Sequence, residues 1–462
     1  MKLTFSKKGK GLKIIIVGCG KVGTTLVERL RQENHEITVV DQNPEVVQRV
    51  AGTYDVMGVT GNGASYNVQL EAGIQDTDLI VAVTDSDELN LLCCTIAKKF
   101  RGCAAVARVR NPDYSNELGY LRNQLGISLI INPELETAKE ISRLLRMPTA
   151  LEIHSFAKGQ VEMVKFKVQP HSMLHEKSIM DVTKDFSGEM LFCGIERESE
   201  LIIPDGSFVL REGDSVTFIA TPINTHKFFR YIGMDTQHAK SCMIIGGGKT
   251  SFYLAKLLSD LNIDVKIIEM NQKRCEELSA YLPKALIIYG DGGDEELLVE
   301  EGIEKVDAFV PLTGIDEENI LLTLFAKKYK NAKLITKINR STFNNIIDGL
   351  DMGSLIYPRY MTTESIIKYV RGMENSVSSN IETLYHIFDN RAEAIEFEVD
   401  PNSKVTGRSI KDLPLKNGLL LACINRKGQI IIPRGDDEIM VGDKIVVLTT
   451  NTGFHSVEDI LR

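Results

Sequence analysis

No apolar run in the 462-residue sequence approaches the roughly 20 residues needed to cross a bilayer. A membrane-spanning chain is therefore not expected, and the reading is a soluble, cytoplasmic protein. The basic start, Lys2 to Lys13, leads only into the short apolar run Ile14–Val17, which is no signal-peptide core. Excess positive charge is missing too: 54 Lys and Arg against 63 Asp and Glu leave a net charge of −9, which repels a phosphate backbone and argues against nucleic acid as a partner. The eight cysteines include no Cys-x-x-Cys spacing and no histidine in a zinc pattern, so no metal site is expected. Most of them sit in apolar stretches, as buried thiols do in a reducing compartment. With 43% hydrophobic and 25% charged residues, the composition is that of an ordinary globular chain and not of a disordered, collagenous or coiled-coil one.

What is present is a long repeat. The turn Gly18-Cys19-Gly20-Lys21-Val22-Gly23 recurs as Gly246-Gly247-Gly248-Lys249-Thr250-Ser251. Asp41 returns as Glu269, Gly61-Asn62-Gly63 as Gly290-Asp291-Gly292, Thr84 as Thr313, Asn90 as Asn319 and Arg108 as Lys337, each displaced by 228 or 229 residues. A period this long means tandem whole domains, each large enough to own a core, and not a solenoid.

Within each copy the texture changes once. Lys13–Val17, Lys21–Glu33 and Glu36–Asp41 read as strand, helix and strand, and further strands near Val56, Leu79–Val83, Ala104–Arg108 and Ser128–Ile131 alternate with helices such as Glu88–Phe100 and Glu134–Arg146. That alternation predicts an α/β, Rossmann-like, doubly wound parallel sheet. From about Ala150 the runs become short and alternating, Val161–Val168, Met190–Ile195 and Ser215–Ala220, which predicts a small β-rich α+β module. It recurs as well: Ser178-Ile179 and Asp181 answer to Ser409-Ile410 and Asp412, Pro204 to Pro433, and Gly213-Asp214 to Gly442-Asp443. The expected domains are 12–148, 152–236, 240–372 and 385–462, with Asn375 to Asn380 reading as a flexible connection.

The first glycine turn is more than a lone G-x-G-x-x-G. It closes a predicted strand, opens a helix, and is followed 23 residues after Gly18 by Asp41 at the next strand end. Gly18 permits the tight turn, Gly20 lets backbone amides approach a pyrophosphate at the positive helix end, and Gly23 lets helix and strand pack closely. Asp41 would accept hydrogen bonds from ribose hydroxyls and repel a 2′-phosphate, which favours NAD(H) or an adenine nucleotide over NADP. The alternative is a tight turn with no ligand. In the second copy Ser251 replaces the third glycine and Glu269 is one methylene longer; a ligand is expected here as well, the alternative being a slightly wider helix–strand separation with an empty or differently selective site.

Thr84-Asp85 and Thr313-Gly314 lie beyond the fourth strand, where ligands settle in such sheets, and Arg108 and Lys337 end the fifth strand on the same rim. Those cations either complement phosphates or form surface ion pairs. Asn62 and Asp291 either touch base or ribose or cap the following helix. No catalytic constellation accompanies these loops: His35, His154, His171, His175, His226, His238, His386 and His455 are scattered, and none recurs in both copies. His171 and His175 are four apart but follow Pro170, which favours a solvated loop over a metal pair. Cys19 reads as a small residue that fits the turn in preference to a redox thiol.

In its domain order the chain resembles the peripheral regulatory subunits of bacterial and archaeal Trk potassium-uptake systems, which consist of two tandem RCK (regulator of K⁺ conductance) units. The resemblance covers Lys13 to about Asp459. It implies that Gly18 through Gly23, Asp41, Thr84 and Arg108, then Gly246 through Ser251, Glu269, Thr313 and Lys337, bind NAD(H) and ATP or ADP. It also implies a homotetrameric ring at the cytoplasmic face of a membrane-embedded potassium-translocating partner, with nucleotide as signal and no hydride transferred. The competing readings are a nucleotide sensor for another ion transporter and an NAD-dependent oxidoreductase. Against the latter, the roughly 80-residue modules offer little room for a substrate domain with its own acid–base residue.

Overall fold

The computed structural model describes residues 11–100, 102–115, 117–198, 200–234, 238–329, 332–339, 347, 350, 352–374, 381–388, 391–451 and 453–462. Asn375 to Asn380, read above as a flexible connection, lie outside the described residues. The chain divides into two units, Met1–Ala138 with Tyr357–Ser376, and Lys139–Ile356 with Val377–Arg462.

The first copy runs β1 (Lys13–Val17), α1 (Lys21–Gln32), β2 (Glu36–Asp41), α2 (Pro44–Tyr54), β3 (Met57–Thr60), α3 (Tyr66–Glu71), β4 (Leu79–Ala82), α4 (Asp87–Ala97), β5 (Ala104–Arg108), α5 (Pro112–Ser115), α6 (Leu118–Leu125), β6 (Leu129–Ile131) and α7 (Pro133–Arg146). Its six strands lie in the order β3-β2-β1-β4-β5-β6 with parallel pairing, the doubly wound arrangement. Central strands covered on both faces must be apolar throughout. Accordingly every residue of β4 and β5 is buried, and only Lys13 of β1 is exposed. α1 buries Leu26, Val27 and Leu30 on one stripe, and α4 is shorter than its expected span because Lys98 closes it as C-cap.

After the first copy come β7 (Glu152–Phe156), β8 (Val161–Lys167), α8 (Ile179–Asp185), β9 (Met190–Arg197), β10 (Glu200–Ile202), β11 (Ser215–Ala220) and α9 (Pro222–Tyr231). The second α/β copy follows as β12 (Ser241–Ile245), α10 (Lys249–Asp260), β13 (Asp264–Glu269), α11 (Gln272–Tyr281), β14 (Leu286–Tyr289), α12 (Glu295–Glu300), β15 (Ala308–Pro311), α13 (Asp316–Ala326), β16 (Lys333–Lys337), β17 (Ser354–Ile356) and α14 (Pro358–Glu374). Its order, β14-β13-β12-β15-β16-β17, repeats the first sheet. The chain ends with β18 (Ile381–Ile387), β19 (Ala392–Glu398), β20 (Leu419–Arg426), β21 (Gln429–Ile431) and β22 (Lys444–Thr449). β18 runs across the expected boundary at residue 385.

The two small sheets are antiparallel and share one topology, β10-β9-β11-β8-β7 and β21-β20-β22-β19-β18. Their recurrent Gly-Asp pair is structural. Asp214, 1% exposed, takes two hydrogen bonds of 2.7 Å from Arg197, and Asp443 takes 2.9 and 2.8 Å bonds from Arg426. Such bidentate pairs hold the turn before the central strand, β11 or β22, against the end of its neighbour, β9 or β20. The sheets also share a core: Phe156, Met163, Cys193 and Ile219 pack with Phe388, Ala394, Cys423 and Leu448. Buried Glu396 accepts from the Ala157 amide at 2.9 Å, and the Tyr385 hydroxyl donates to the Ser155 carbonyl at 3.2 Å. All eight cysteines are free and buried.

In the first unit, α14 packs on α1 although some 340 residues separate them in sequence. Arg371, 1% exposed, donates Nε to both Glu33 carboxylate oxygens at 3.2 Å. Burial pushes the Glu33 carboxyl up, but hydrogen bonds from His35 and Arg371, with their charges, hold it down at about 2. This contribution is present above the ordinary carboxylate value and is lost as pH falls from about 4.5 towards 2. Breaking such a pair by removing one partner costs about 3–5 kcal/mol. Arg371→Ala is therefore expected to raise amide exchange throughout α1 and α14; unchanged exchange there would refute this role.

In the second unit, Lys333 opens an interior strand and is buried, its ammonium donating to the Ala150 carbonyl. Desolvation lowers it from 10.5 to about 7. Between those values the unfolded chain binds a proton that the folded chain does not, so stability rises with pH across that window. Lys333→Met is expected to abolish that slope, so that the variant compares most favourably with the wild-type chain at the acid end of the window. Melting curves of both proteins from pH 6 to 10 test this, and parallel pH profiles would overturn it.

Candidate functional site

Each doubly wound sheet carries one rim at the carboxyl ends of its first five strands, and the residues singled out in the sequence converge there. Gly18 has φ +98°, and a Cβ on it would lie 2.9 Å from the Thr84 amide nitrogen. Gly23 is excluded from any larger residue by backbone alone, since a Cβ would lie 1.9 Å from the Gly18 carbonyl oxygen. Gly20 is different. It has φ −70°, open to any residue, and a Cβ there would meet nothing within 4 Å. Its absent side chain leaves bare backbone at the start of α1, where no side chain caps the helix. By contrast Asn43 caps α2 and Ser86 caps α4.

The Asp41 carboxylate is engaged by its own loop, accepting from the Cys19 amide at 2.8 Å and the Asn43 amide at 2.9 Å. It thus holds the glycine turn against the end of β2. Cys19 is 3% exposed, and burial, with the Asp41 charge, pushes its thiol up to about 12. It is a protonated filler of the turn at neutral pH. Lys21 is exposed and Val22 half-buried in the first turn of α1.

The turns after β3 and β4 close the rim. A Cβ on Gly63 would lie 2.3 Å from Val17 Cγ1, so this turn can reach β1 only through glycine. Asn62 accepts from the Ala64 amide at 3.0 Å, a turn within its own loop; α3 starts only after Ser65, so this bond does not cap the helix. Asn90, fully buried, ties the fourth and fifth strand ends together: its Oδ1 accepts from the Thr84 amide and hydroxyl at 2.8 and 2.7 Å, and its Nδ2 donates to the Arg108 carbonyl at 2.9 Å. Sequence reasoning assigned Asn90 no role; its recurrence as Asn319 was the available signal. Arg108 is largely buried, with a guanidinium nitrogen 2.7 Å from the Thr84 carbonyl and 3.2 Å from Asp85, whose own side chain is fully exposed. Desolvation lowers Arg108 below its ordinary value.

The second rim repeats this plan with substitutions. Gly246 has φ +93°, but the nearest atoms to a Cβ there, on Leu312 and Thr313, stand 3.4 Å away, so this turn is looser than the first. Ser251 occupies the place of Gly23, is fully buried, and donates its hydroxyl to the Gly246 carbonyl. Gly248 again has no neighbour within 4 Å of a Cβ and no side-chain cap, while Lys249 is half-buried and Thr250 buried. Glu269 accepts from the Gly247 amide at 2.6 Å and the Asn271 amide at 2.7 Å, reproducing Asp41 with its longer arm. Arg274 Nε donates to the Gly247 carbonyl at 2.7 Å; no cation stands at the matching Val46.

Asp291 accepts from the Gly293 amide at 2.8 Å. Asn319 accepts from the Thr313 amide at 3.0 Å and donates to the Lys337 carbonyl at 3.1 Å. The Lys337 ammonium donates to the Leu312 carbonyl at 3.0 Å, and a Cβ on Gly314 would meet nothing within 4 Å. Away from the rims, His171 sits in a turn with φ +61°, and His175 accepts from the Glu212 amide at 3.0 Å.

The TrkA-N domain model matches residues 14–133 and 242–358, and the TrkA-C domain model matches 163–233 and 394–462. The chain is 32% identical over 459 residues to Trk system potassium uptake protein TrkA homolog 1 of Methanosarcina mazei, covering 98% of this chain and 100% of that one. It is 34% identical over 443 residues to the Trk system potassium uptake protein TrkA of Haemophilus influenzae, covering 94% and 95%. Among solved structures, the GsuK channel has the same fold at 17% identity, with a TM-score of 0.64 over 97% of this chain and 78% of that one. The same channel has been solved bound to NAD. With both domain types matched twice and relatives aligned over nearly its whole length, the chain belongs to the TrkA family of potassium-uptake proteins.

Proposed function

We propose that this chain is a nucleotide-sensing, non-enzymatic regulatory subunit that gates potassium uptake through a membrane-embedded Trk-type partner. The observation that carries the nucleotide reading is the open space over Gly20 and Gly248. Other glycines of the first rim have internal reasons: Gly18 its φ, Gly23 its contact with Gly18, Gly63 its contact with Val17. Nothing in the described protein fills the space that Gly20 and Gly248 leave. Uncapped amides at a helix start suit the phosphates of NAD(H), ATP or ADP. The Trk names of the relatives support the potassium partner, and the NAD-bound GsuK channel supports the ligand class.

On this reading Gly18 through Gly23, Asp41, Asn62, Thr84, Asp85 and Arg108 hold one nucleotide, and Gly246 through Ser251, Glu269, Asp291, Thr313, Gly314 and Lys337 hold another. Asp41 and Glu269 would exchange their bonds to the loop amides for ribose hydroxyls. That exchange makes the turn sensitive to occupancy, because one carboxylate serves both. A ligand shifts an assembly only by its differential affinity for two arrangements, typically about 1–3 kcal/mol per coupled site. A homotetrameric ring at the cytoplasmic face, with several such sites, multiplies that bias. No group on either rim needs to transfer hydride, and the Cys19 thiol stays protonated.

Because a Cβ at Gly20 meets nothing, Gly20→Val is expected to leave the melting temperature unchanged while weakening NAD⁺, NADH, ATP or ADP binding by about tenfold or more. Gly248→Val tests the second rim likewise, and Asp41→Ala and Glu269→Ala test the ribose contact. Calorimetric titration of the full chain reads all of these. Absence of binding by any of the four nucleotides to the wild-type chain would reduce both turns to structural ones and sink the proposal.

A further inference from the structure

A cavity of about 510 Å³ opens in the second unit, where the end of α7 meets strands of both small sheets. No residue of either rim lines it. Its wall is polar, with Arg143 and Arg146 of α7, Glu162 of β8, Glu382 of β18 and Glu396 of β19. Most of these groups are already satisfied. The Arg143 guanidinium pairs with Glu140 and donates to the Ile153 carbonyl, and the Lys444 ammonium stands 2.9 Å from Glu382. Glu396 accepts from the Ala157 amide and, at 2.8 Å, from the Thr383 hydroxyl. Two groups are left over. Glu162 Oε2 is buried with no hydrogen-bond partner among the described residues, and Arg146, exposed at the helix end, makes no hydrogen bond or ion pair among them.

The second small sheet shows what the first lacks. Glu162 lies opposite Ala220 on β11 and Ser155 on β7; Glu393 holds the same register position, opposite Thr449 on β22 and His386 on β18. There the outer strand supplies the partner, with His386 Nε2 3.4 Å from Glu393, which is 1% exposed. In the first sheet Ser155 stands at that place and lines the cavity. A hydroxyl carries no charge to set against a carboxylate. Burial pushes the Glu162 carboxyl above its ordinary value, although the charges of Arg143 and Arg146 act to lower it.

We propose that this cavity binds a small zwitterion, its protonated amine on Glu162 and its carboxylate on Arg146, as an effector site separate from the two rims. A buried carboxylate oxygen without a donor calls for an N–H, which a primary ammonium has and a quaternary ammonium lacks. A guanidinium takes a carboxylate through two parallel hydrogen bonds. The volume falls within the range of about 300–1,000 Å³ for small-molecule sites, and the polar wall suits a charged solute over a flat apolar one. The cavity is bounded by β8 of the first small sheet and by β18 and β19 of the second, so an occupant sits across their junction. This site stands whether or not the rims bind nucleotide.

The test titrates the full chain by calorimetry with glycine, β-alanine, γ-aminobutyrate and 5-aminovalerate, which step the distance between ammonium and carboxylate, and with ethylamine and acetate as the separate ends. One member of the series is expected to bind about tenfold or more tighter than either end alone, and Glu162→Gln and Arg146→Gln are each expected to cost it about tenfold or more. Glu162→Gln removes a buried charge that lacks a partner, so its melting temperature is expected to equal or exceed that of the wild-type chain. Arg146 is exposed, and its variant is expected to melt as the wild-type chain does. Binding by no member of the series, acetate binding as tightly as the best zwitterion, or unchanged affinity in either variant would overturn the proposal. So would a clear fall in the melting temperature of Glu162→Gln, which would mean that Glu162 has its partner within the protein.

Discussion

The close approach of two turns organises each doubly wound half. The turn after the first strand must lie against the turn after the fourth, because the parallel order puts β1 beside β4 and β12 beside β15. In the first copy that approach is tight enough that a single methyl group on Gly18 would collide with the Thr84 backbone. From it follow the left-handed glycine, the start of the first helix at Gly20, and the need for Asp41 to hold the turn by its amide. Asn90 then fixes Thr84 relative to Arg108, so two strand ends are locked by one buried amide side chain. The backbone left uncovered by these constraints is the stretch proposed to face a ligand.

Duplication relaxed this constraint in the second copy without removing it. Ser251 is fully buried and its hydroxyl returns a hydrogen bond to the Gly246 carbonyl, so the larger residue is accommodated at no loss of polar pairing. Glu269, one methylene longer than Asp41, accepts from the corresponding amide of the turn. Arg274 donates to the Gly247 carbonyl, and the space over Gly248 stays open as it does over Gly20.

A sensor must pass occupancy of its rims to the rest of the molecule, and the second unit contains a direct mechanical link. The segment from Leu145 to Leu151 leads into the first small sheet. It is held by the Ala239 amide on the Leu145 carbonyl at 3.0 Å, by Lys333 on Ala150, and by the Ser354 hydroxyl on the Leu151 carbonyl at 2.7 Å. Two of those groups belong to strands of the second doubly wound sheet. These bonds tie the edge of that sheet to the strand that enters the small sheets, which share one core.

Much of this was legible from residue order, for identifiable reasons. Central parallel strands are buried on both faces, so β1, β4 and β5 read as unbroken apolar runs, and the 228–229 residue echo carried the same assignment into the second half. The glycine turn announced itself because the backbone at Gly18 and Gly23 admits no other residue. The short strands β7 and β10 did not, since three to five residues of mixed polarity carry no distinguishable period. The pairing of α14 with α1, the burial of Arg371 and Lys333, and the common core of the small sheets lay beyond reach for another reason. Each depends on which surfaces meet across more than 180 residues of chain, and the pattern along a segment records that a face is apolar but not what covers it. Sequence alone determined the four-part order and the rim chemistry, because both are written in local backbone requirements. Only the tertiary structure decided that Asp41 and Glu269 are held by their own turns and that Gly20 and Gly248 face open space, because both facts depend on distances between separate strand ends.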